Sequence, residues 1–476
     1  MAAFLTLGTP FWSNTLGAQE TGPSVLSLID ARQERLGQVA MEIWELAEVG
    51  YQEYESSALL QQELRAAGFS VEAGVAGMPT AFIAEWGSGS PVIGILAEFD
   101  ALPGITQDAV PERAPLIEKD AGHACGHHLF GTGSAGGAIA TKEWLEATRV
   151  QGTIRLYGTP AEEGGAGKVY MVRDGLFNDV DVVLHWHPGD ANSASPSTSL
   201  ANKSAKFRFH GISAHAAAAP ERGRSALDGV EAMNHMVNLM REHVPQETRI
   251  HYVITDGGSA PNVIPDFAEV FYYVRNPEPG MVQEIFSRVV SAAQGAAMGT
   301  GTTVDYEVIH GLYNLLPNEA LQRVMWEKLN QVGGVQYDQS ELDFAQLLRA
   351  SLPPTSPPLE SALEVQPYDF VRSGMGSTDV ADVSWVVPTA GLRTATWVPG
   401  TVSHSWQAVA AGGMSIGTKG MLVAAKTLAL TAVEIFSNPE IVEAAAAEQA
   451  RRVGPDFVFK PLLGDRAPPL DYRGRG

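Results

Sequence analysis

The chain has 476 residues, of which 45% are hydrophobic and 18% are charged, a composition typical of globular proteins with large apolar cores. Its length allows about two or three domains of ordinary size. The 54 Asp and Glu residues outnumber the 32 Lys and Arg residues, giving a net charge of −22. This charge argues against nucleic acid as a partner, because the phosphate backbone is also negative.

The first 23 residues are interpreted as a leader or a truncated signal segment. Residues 1–16 are mildly apolar and uncharged, and Gly17-Ala18 resembles the small residues before a signal cleavage site. A complete signal peptide would also need a basic segment, which this stretch lacks. The interpretation is compatible with a cytoplasmic or a periplasmic protein. Farther along, no uninterrupted apolar stretch reaches about 18–20 residues, so no membrane partner is predicted.

Helical and strand patterns alternate in the first part of the chain. Apolar residues at helical spacing predict helices over 24–49 and 54–68. Short apolar runs predict strands at 80–86, 91–98, 153–157 and 180–185. Because the run at 91–98 is apolar throughout, we expect a strand buried on both faces. The alternation predicts an α/β fold with a mostly parallel core sheet.

The pattern changes after residues 192–204, a stretch rich in Ser, Pro and Asn that is interpreted as a linker. The strands predicted beyond it are 205–210, 252–255, 269–275 and 302–310. The helices predicted among them are 226–243 and 281–298. This β-α-β-β-α-β order predicts a ferredoxin-like α+β domain, inserted at residues 203–313. It would divide a catalytic domain into residues 24–202 and 314–476.

The last part of the chain completes the predicted catalytic domain. Helical spacing resumes from Pro317, a further strand is predicted at 390–396, and an Ala-rich helix at 416–436. Residues 351–367, rich in Pro and Ser, are predicted to form an irregular surface segment. The residues from Gly454 onward are expected to pack as an extended tail.

The densest group of potential metal ligands is Gly122–His128, where three histidines and the only cysteine lie within six positions. Because Cys125 is the only cysteine, an intramolecular disulfide is excluded. One isolated histidine or cysteine is usually a packed residue. Four such side chains together favour a metal site, and a divalent ion would also deprotonate the thiol.

Two familiar motifs in this region are excluded by their surroundings. His123 and His127 have the i, i+4 spacing of the helical zinc proteases, but Ala124 stands where that motif needs Glu. Residues 131–136 match the glycine pattern of dinucleotide-binding turns, which must directly follow a strand. No strand pattern precedes them, so the glycines predict close packing of a helix against a sheet.

Further candidate residues follow the predicted strands. Glu162 and Glu163 come after the third strand, where one carboxylate could bind a metal and the other act as a general base. A solvated turn is the alternative for this pair. His185 and His187 end the fourth strand, at the edge where open α/β sheets bind ligands. His404 follows the late strand and, taken alone, would be a surface histidine.

The motifs His-Ala-Cys-Gly-His, Pro-Ala-Glu-Glu and Leu-His-Trp-His-Pro, with a late histidine, resemble those of the metallopeptidase family of glutamate carboxypeptidase and aminoacylases. They are most similar to its amidohydrolase branch of hippurate, auxin-conjugate and p-aminobenzoyl-glutamate hydrolases, over roughly residues 30–470. The resemblance implies an amide-bond hydrolase with two divalent ions, zinc or manganese, with cobalt as a further option. The implied substrate is an N-acyl amino acid with an aryl-acyl group, as in p-aminobenzoyl-glutamate.

The resemblance also implies a role for each site residue. The implied metal ligands are Cys125, His127, Glu163, His185 and His404, with the thiolate bridging the two ions. Glu162 would be the general base, and His187 would lie beside the ligands. His215 would polarise the scissile carbonyl in a partner subunit's site, while Asn262 and Arg275 would contact the carboxylate of the substrate.

Two positions depart from the pattern of the branch. His128 stands where an Asp is common, so we expect one carboxylate near the ligands to be missing. Glu98-Phe99-Asp100 stands where other branches have His-x-Asp, so His127 is expected to supply the missing imidazole.

Other functions are compatible with parts of the same pattern. Cys125 could be a nucleophile with a nearby histidine as its base, as in cysteine hydrolases. The chain could also be an inactive binding protein of the same fold, although Glu162 and all five candidate ligands are present together. A Gly-x-Ser-x-Gly elbow is absent from the sequence, which argues against a serine hydrolase.

The predicted insert also bears on assembly. Its helices and sheet edge are expected to form a homodimer, the common closed symmetry, or to pair with a related subunit. It is further expected to act as a lid that closes over the substrate and excludes water.

Overall fold

The computed structural model describes residues 23–369 and 371–473, so nearly all of the predicted leader lies outside the described residues. Within them the strands are β1 (Ser70–Ala73), β2 (Phe82–Ser88), β3 (Val92–Ala97), β4 (Leu102–Pro103), β5 (Ala121–Gly122), β6 (Gly152–Gly158), β7 (Val182–Gly189), β8 (Ser197–Thr198), β9 (Ala201–His210), β10 (Arg249–Asp256), β11 (Phe267–Asn276), β12 (Thr303–Leu312), β13 (Arg372–Ser373) and β14 (Thr389–Ala395). The helices are α1 (Val25–Asp30), α2 (Gln33–Leu46), α3 (Tyr54–Ala66), α4 (His127–Thr148), α5 (Gly167–Arg173), α6 (Ala226–Met240), α7 (Pro279–Thr300), α8 (Glu319–Val332), α9 (Gln339–Arg349), α10 (Val380–Ser384), α11 (Trp406–Gly412), α12 (Ser415–Ser437) and α13 (Pro439–Val453).

The larger sheet has six strands in the order β1-β2-β6-β3-β7-β14. Strands β6, β3, β7 and β14 run parallel to one another, while β1 and β2 add an antiparallel edge. The apolar run of β3 lies in the middle of the sheet, where Ile93, Ile95 and Leu96 are fully buried. The predicted α/β fold with a mostly parallel sheet is therefore confirmed.

Helix α4 packs closely on this sheet because of its glycines. A Cβ atom at Gly131 would lie 2.7 Å from the carbonyl oxygen of Glu98, and one at Gly133 would lie 2.9 Å from the Trp186 ring. Ordinary side chains would therefore push the helix away from the sheet. This packing is what the glycine pattern predicted, and it fixes His127, the first residue of α4, beside the sheet edge.

Helix α12 is, among the described helices, the one long and apolar enough to cross a membrane by length and composition. In its most apolar window 72% of the residues are buried inside the protein. It packs against α4 and against β14 of the larger sheet. These contacts account for its apolar character as that of a core helix.

The smaller sheet is antiparallel, with the strand order β10-β11-β9-β12. Helices α6 and α7 cover one of its faces and form a second apolar core, separate from that of the larger sheet. The element order β9-α6-β10-β11-α7-β12 is the predicted ferredoxin-like order. The predicted boundary at residues 202 and 203 falls inside β9, and the division into a catalytic and a lid domain stays a prediction.

Three sequence-based boundaries differ from the structure. The predicted helix over 24–49 is two helices, because the backbone leaves the helical path at Arg32, where ψ is 0°. The predicted linker at 192–204 already contains β8 and the start of β9. The segment 351–367 includes a short 3-10 helix at Leu359–Leu363.

Candidate metal centre

The candidate site lies at the carboxyl-terminal edge of the parallel strands. Glu98 and Asp100 follow β3, Glu162 and Glu163 follow β6, His187 lies near the end of β7, and His404 follows β14. Because parallel strands end at the same edge of a sheet, side chains from distant parts of the chain meet there. The turn between β5 and α4 adds Cys125 and His127 to this edge.

Two groups of donor atoms share the Cys125 thiol. The first group consists of Cys125, His127 and His187, and the second of Cys125, Glu163 and His404. Within each group the candidate ligand atoms all lie within 4.8 Å of one another. A third group, Glu98, His127 and Glu162, meets the same distance limit. The structure thus brings together four of the five implied ligands, with the implied base beside them.

His185, the fifth implied ligand, belongs to none of these groups among the described residues, and His187 is found in its place. Both side chains lie on one face of β7, but positions i and i+2 are about 6–7 Å apart along a strand. The Cys125 turn meets the later position, where the Cys125 Sγ lies 3.4 Å from Nε2 of His187. The His185 ring instead lies over Gly391, where a Cβ atom would come within 2.1 Å of its Nε2.

Backbone geometry holds the two ligand-bearing turns together. Gly126 has a φ of 76°, and a Cβ there would lie 2.7 Å from Cβ of Pro188, so glycine allows the Cys125 turn to reach β7. His404 has a left-handed φ of 61°, which is strained for a residue other than glycine. Its N–H donates a hydrogen bond of 2.8 Å to the carbonyl of Ala124, which ties the His404 loop to the Cys125 turn.

The carboxylate expected to be missing near the ligands is supplied by Asp100. His127 Nδ1 lies 2.9 Å from Oδ1 of Asp100, a contact that orients the imidazole and directs Nε2 toward the candidate centre. The other carboxylate oxygen of Asp100 accepts a 2.9 Å hydrogen bond from the Glu163 N–H. One buried carboxylate therefore positions candidate ligands from α4 and from the loop after β6.

Several buried polar atoms at this edge have no hydrogen-bond partner among the described residues. They are Oε2 of Glu98, Nε2 of His127 and Oε1 of Glu163. Each of these atoms lies near a group that can carry the opposite charge, since His127 Nε2 is 3.1 Å from Oε2 of Glu98 and Glu163 Oε1 is 3.1 Å from His404. Thiol, imidazole and carboxylate donors at such distances fit divalent cations.

The electrostatics of the centre also fit bound cations. Burial raises the pKa of the Glu162 carboxyl well above its usual value, and the neighbouring carboxylates of Glu98 and Glu163 raise it further. Burial likewise raises the pKa of the Cys125 thiol, although His127 lowers it in part. Thiolate and carboxylates together need positive charge nearby, which divalent ions would supply.

Lys168 and Asp379 form a buried ion pair that the sequence motifs did not indicate. The Lys168 Nζ lies 2.7 Å from Asp379 and 2.7 Å from Glu98, and all three side chains are almost fully buried. The two carboxylates raise the pKa of Lys168 despite its desolvation. The one signal in the sequence is a lysine in an otherwise apolar stretch, Gly164–Val172.

The other two histidines of the motif contact backbone carbonyls away from the candidate ligands. His123 Nε2 lies 3.0 Å from the carbonyl of Ile43, and His128 Nε2 lies 3.0 Å from that of Gly412. Burial lowers the pKa of His123 to about 3, so this imidazole is neutral at pH 7. Both side chains therefore pack the turn that carries Cys125.

His215 and Asn262 lie beside each other on the smaller-sheet unit and are exposed. The carbonyl of Asn262 accepts a 3.0 Å hydrogen bond from the N–H of Ala216. The N–H groups of Ala217 and Ala218 each donate to Nδ1 of His215 at 3.2 Å. The proton of the neutral ring is therefore on Nε2, which is free to donate a hydrogen bond.

The C-terminal tail reaches the centre, another feature that motif reading missed. Tyr472 donates a 3.0 Å hydrogen bond to the carbonyl oxygen of Glu163, and Arg473 donates to the same oxygen. The tail also crosses to β12, where Arg466 donates to the carbonyl of Val308 and pairs with Glu307. It therefore connects the loop of a candidate ligand with the smaller sheet.

Comparison with known proteins gives a family and several relatives. The profile of Peptidase family M20/M25/M40 matches residues 94–408, a span that includes every candidate ligand. A p-aminobenzoyl-glutamate hydrolase subunit of Escherichia coli (strain K12) is 40% identical over 448 residues, which are 88% of this chain and 93% of that protein. The Xaa-Arg dipeptidase of Mus musculus is 30% identical over 437 residues, covering 88% of this chain and 90% of the dipeptidase.

Solved structures share the fold at low sequence identity. A dinuclear metal-binding peptidase of the M20 family from Bacillus subtilis has a TM-score of 0.59 and 19% identity, covering 86% of this chain and 99% of that chain. An aminobenzoyl-glutamate utilization protein from Klebsiella pneumoniae has a TM-score of 0.60 and 18% identity, covering 87% of this chain and 98% of that chain. Both agree with the two-sheet architecture described above.

Proposed function

Because the chain belongs to Peptidase family M20/M25/M40, we propose that it is a metal-dependent amidohydrolase that releases an amino acid from an N-acyl amino acid. The family predicted from the motifs is confirmed, and the chain is a hydrolase acting on amide bonds. The observation that carries the metal proposal is the pair of donor groups that share Cys125. Zinc or manganese fits these mixed thiol, imidazole and carboxylate donors, and cobalt is a further option.

In the proposed centre Cys125, His127 and His187 would hold one ion, and Cys125, Glu163 and His404 would hold the other. Bound divalent cations polarise an amide carbonyl and acidify water. Asp100 keeps His127 oriented toward the first position through the 2.9 Å contact with Nδ1. His185, the ligand implied by the resemblance, is retained as the competing assignment for the first ion.

Glu162 is the proposed general base. Its carboxylate accepts the proton of the attacking water and returns it to the nitrogen of the leaving amine. Its place beside His127 and Glu98 puts it at the candidate centre, where a carboxylate can take up a proton and release it again.

His215 is the proposed donor to the carbonyl oxygen of the scissile amide. Its Nε2–H is free because Nδ1 already accepts from Ala217 and Ala218. A donor aimed at the developing oxyanion stabilises the transition state. Since His215 is exposed on its own chain, we propose that it acts in the centre of a partner subunit, in a homodimer or with a related subunit. In that arrangement residues 203–313 would be the lid.

The proposed substrate is an N-acyl amino acid with an aryl-acyl group, similar to p-aminobenzoyl-glutamate. The relative that is 40% identical bears the name of such a hydrolase. Asn262 and Arg275 are the proposed contacts to the carboxylate of the amino acid, because an amide and a guanidinium can both donate to carboxylate oxygens.

One contact also suits a cysteine hydrolase, namely the 3.4 Å distance between Cys125 Sγ and Nε2 of His187. Burial opposes this alternative, because it raises the pKa of the thiol and so disfavours the nucleophilic thiolate. A metal-dependent enzyme loses activity on chelation and regains it when the ion is returned. A cysteine nucleophile would instead be inactivated by alkylation and be indifferent to chelators.

The decisive experiment combines chelation with a substrate panel. N-acyl amino acids that vary in both halves are incubated with the purified protein, and hydrolysis is followed by release of the amino acid. We expect hydrolysis of aryl-acyl amino acids that stops with chelator and returns with zinc, manganese or cobalt. Hydrolysis that is unchanged by exhaustive chelation would refute the metal mechanism.

A further inference from the structure

Two arginines from distant parts of the chain, Arg275 and Arg473, lie near one aromatic pair. The pair is Tyr273 of β11 and His310 of β12, whose hydroxyl and Nδ1 are 3.0 Å apart. The guanidinium carbon of Arg275 lies 5.4 Å from the Tyr273 ring centroid. Arg473 approaches from the C-terminal tail, and both it and His310 contact the backbone of the loop after Glu163.

These two residues, here called the arginine pair, have no carboxylate partner among residues 23–369 and 371–473. Arg275 bonds through Nη1 to the hydroxyl of Ser377 at 3.1 Å, and Arg473 bonds to the carbonyl of Glu163. The Nε atoms of both side chains are buried and make no hydrogen bond. By contrast, Arg466, another arginine of the tail, is paired with Glu307 at 3.2 Å.

A third unpartnered group belongs to the same face of the smaller sheet. Asn202 pairs with Arg275 in the register of β9 and β11, and its side chain is 3% exposed with Oδ1 lacking a hydrogen bond. A buried polar atom without a hydrogen bond destabilises the folded protein, and two buried like charges without a counter-ion destabilise it further. Burial, followed by the positive charges of Arg466, Arg473 and Arg275, lowers the pKa of His310 to about 4. This environment suits an anion.

We propose that the arginine pair binds the amino-acid half of a substrate that carries two carboxylates, so that the enzyme prefers N-acyl derivatives of glutamate or aspartate. This inference rests on the proposed function, and it makes Arg473 a specificity-determining residue. Any N-acyl amino acid supplies one carboxylate, for which Arg275 alone is sufficient. A second guanidinium is matched by a side-chain carboxylate, while a cationic amino acid would be repelled.

The position of Arg473 is consistent with contact to a substrate in the centre. Its Nη2 atom would lie 3.3 Å from a Cβ at Gly164, the residue after the candidate ligand Glu163. An amide bound at the candidate centre would lie beside this loop, because Glu163 is one of the candidate ligands. Arg473 can therefore donate to the substrate through the nitrogen atoms that the Glu163 carbonyl does not use.

The test compares two substrates that share one aryl-acyl group and differ only in charge, the N-acyl glutamate and the N-acyl glutamine. We expect the unaltered enzyme to prefer the glutamate derivative in kcat/KM. In Arg473→Gln we expect kcat/KM for the glutamate derivative to fall by about 10- to 100-fold, the usual effect of losing a charge-assisted hydrogen bond. We expect kcat/KM of this variant for the glutamine derivative to stay within about threefold of that of the unaltered enzyme. Such a result would show that the centre is intact.

Arg466→Gln is the matched control, because this tail arginine already has a carboxylate partner, and Arg473→Lys should restore part of the preference. An equal loss on both substrates in Arg473→Gln would mean that the residue only tethers the tail, and would overturn the inference. If no acyl amino acid is hydrolysed, the proposed function fails. In that case calorimetry can compare the affinities of the same proteins for free glutamate and free glutamine. Equal affinities of the unaltered protein for the two amino acids would refute the proposed role of the arginine pair.

Discussion

Cys125 is the residue on which the candidate centre depends. It is the only cysteine of the chain, it is buried, and it is shared by both groups of donor atoms. Burial raises the pKa of its thiol, so the protein alone favours the neutral form. A divalent cation reverses that preference, because a coordinated thiol is deprotonated outright. Metal binding and the charge state of this residue are therefore expected to be linked.

The first prediction concerns the base. Glu162→Gln is expected to retain the metal content of the unaltered protein and to lower kcat by about 10²- to 10⁴-fold, the usual contribution of a general base. The amide keeps the shape of the side chain but cannot take a proton from water. Elemental analysis beside a rate assay gives both readings, and near-normal turnover with full metal would remove Glu162 from the mechanism.

The second prediction separates the two histidines of β7. His187→Ala is expected to lose one ion per subunit and most activity, because its Nε2 lies 3.4 Å from the Cys125 thiol. His185→Ala is the matched control, since it removes the same group from the same face of the strand, and it is expected to keep both ions. Metal content decides between them, and the reverse result would restore the ligand implied by the resemblance.

The sequence alone could not determine whether His185 or His187 meets the Cys125 thiol. The sequence placed imidazoles at the end of a core strand, and the structure has both of them in β7. Which one meets the thiol depends on how far the Cys125 turn extends along the strand, and Gly126 against Pro188 sets that distance. A contact between residues 62 positions apart is not encoded in the local spacing of either motif.

At the scale of helices and strands, local patterns predicted most elements. The apolar runs before Glu98 and Glu162 became β3 and β6, so the shared strand edge that gathers the site was foreseeable. The break between α1 and α2 could not be predicted, because the apolar spacing continues through Arg32. Likewise, the Lys168–Asp379 pair joins segments 211 residues apart, and neither residue stands in a recognisable motif.

The third prediction tests how this buried pair supports the edge. Lys168→Met leaves the buried carboxylates of Glu98 and Asp379 without their cation, so the free energy of unfolding is expected to fall by about 3–5 kcal/mol. Lys426→Met is the control, because its partner Asp30 is exposed and a surface pair contributes at most about 1 kcal/mol.

Urea unfolding of the metal-free proteins measures the difference, so that loss of ions cannot be mistaken for loss of the ion pair. Equal stability of the two variants would show that the Lys168 contacts are unimportant for the fold. In that case Glu98 and Asp379 would have to be held in place by other groups.

At the scale of the whole molecule, the smaller sheet has an open edge. Strand β10 is one of the two outer strands of this sheet, and its apolar residues Tyr252, Val253 and Ile254 are exposed, Val253 by 56%. An exposed apolar edge strand is a template for pairing with another chain. The proposed homodimer would cover this edge, and it would carry the loop of His215 toward the centre of the partner subunit.

The last prediction tests that assembly through activity. His215→Ala and Glu162→Gln are each expected to be nearly inactive as homodimers, because every centre lacks either the carbonyl donor or the base. When the two variants are mixed and allowed to exchange subunits, half of the centres in a mixed dimer combine an intact Glu162 with the partner's intact His215. Activity should therefore return toward about half of that of the unaltered enzyme per mixed dimer, as expected for independent sites in a two-fold dimer.

Mixing Glu162→Gln with Cys125→Ala is the matched control, since both changes affect the same centre and each mixed dimer lacks an intact one. Size-exclusion chromatography with differently tagged subunits verifies that mixed dimers have formed. Mixed dimers of the first pair that stay inactive would mean that His215 does not act across the interface.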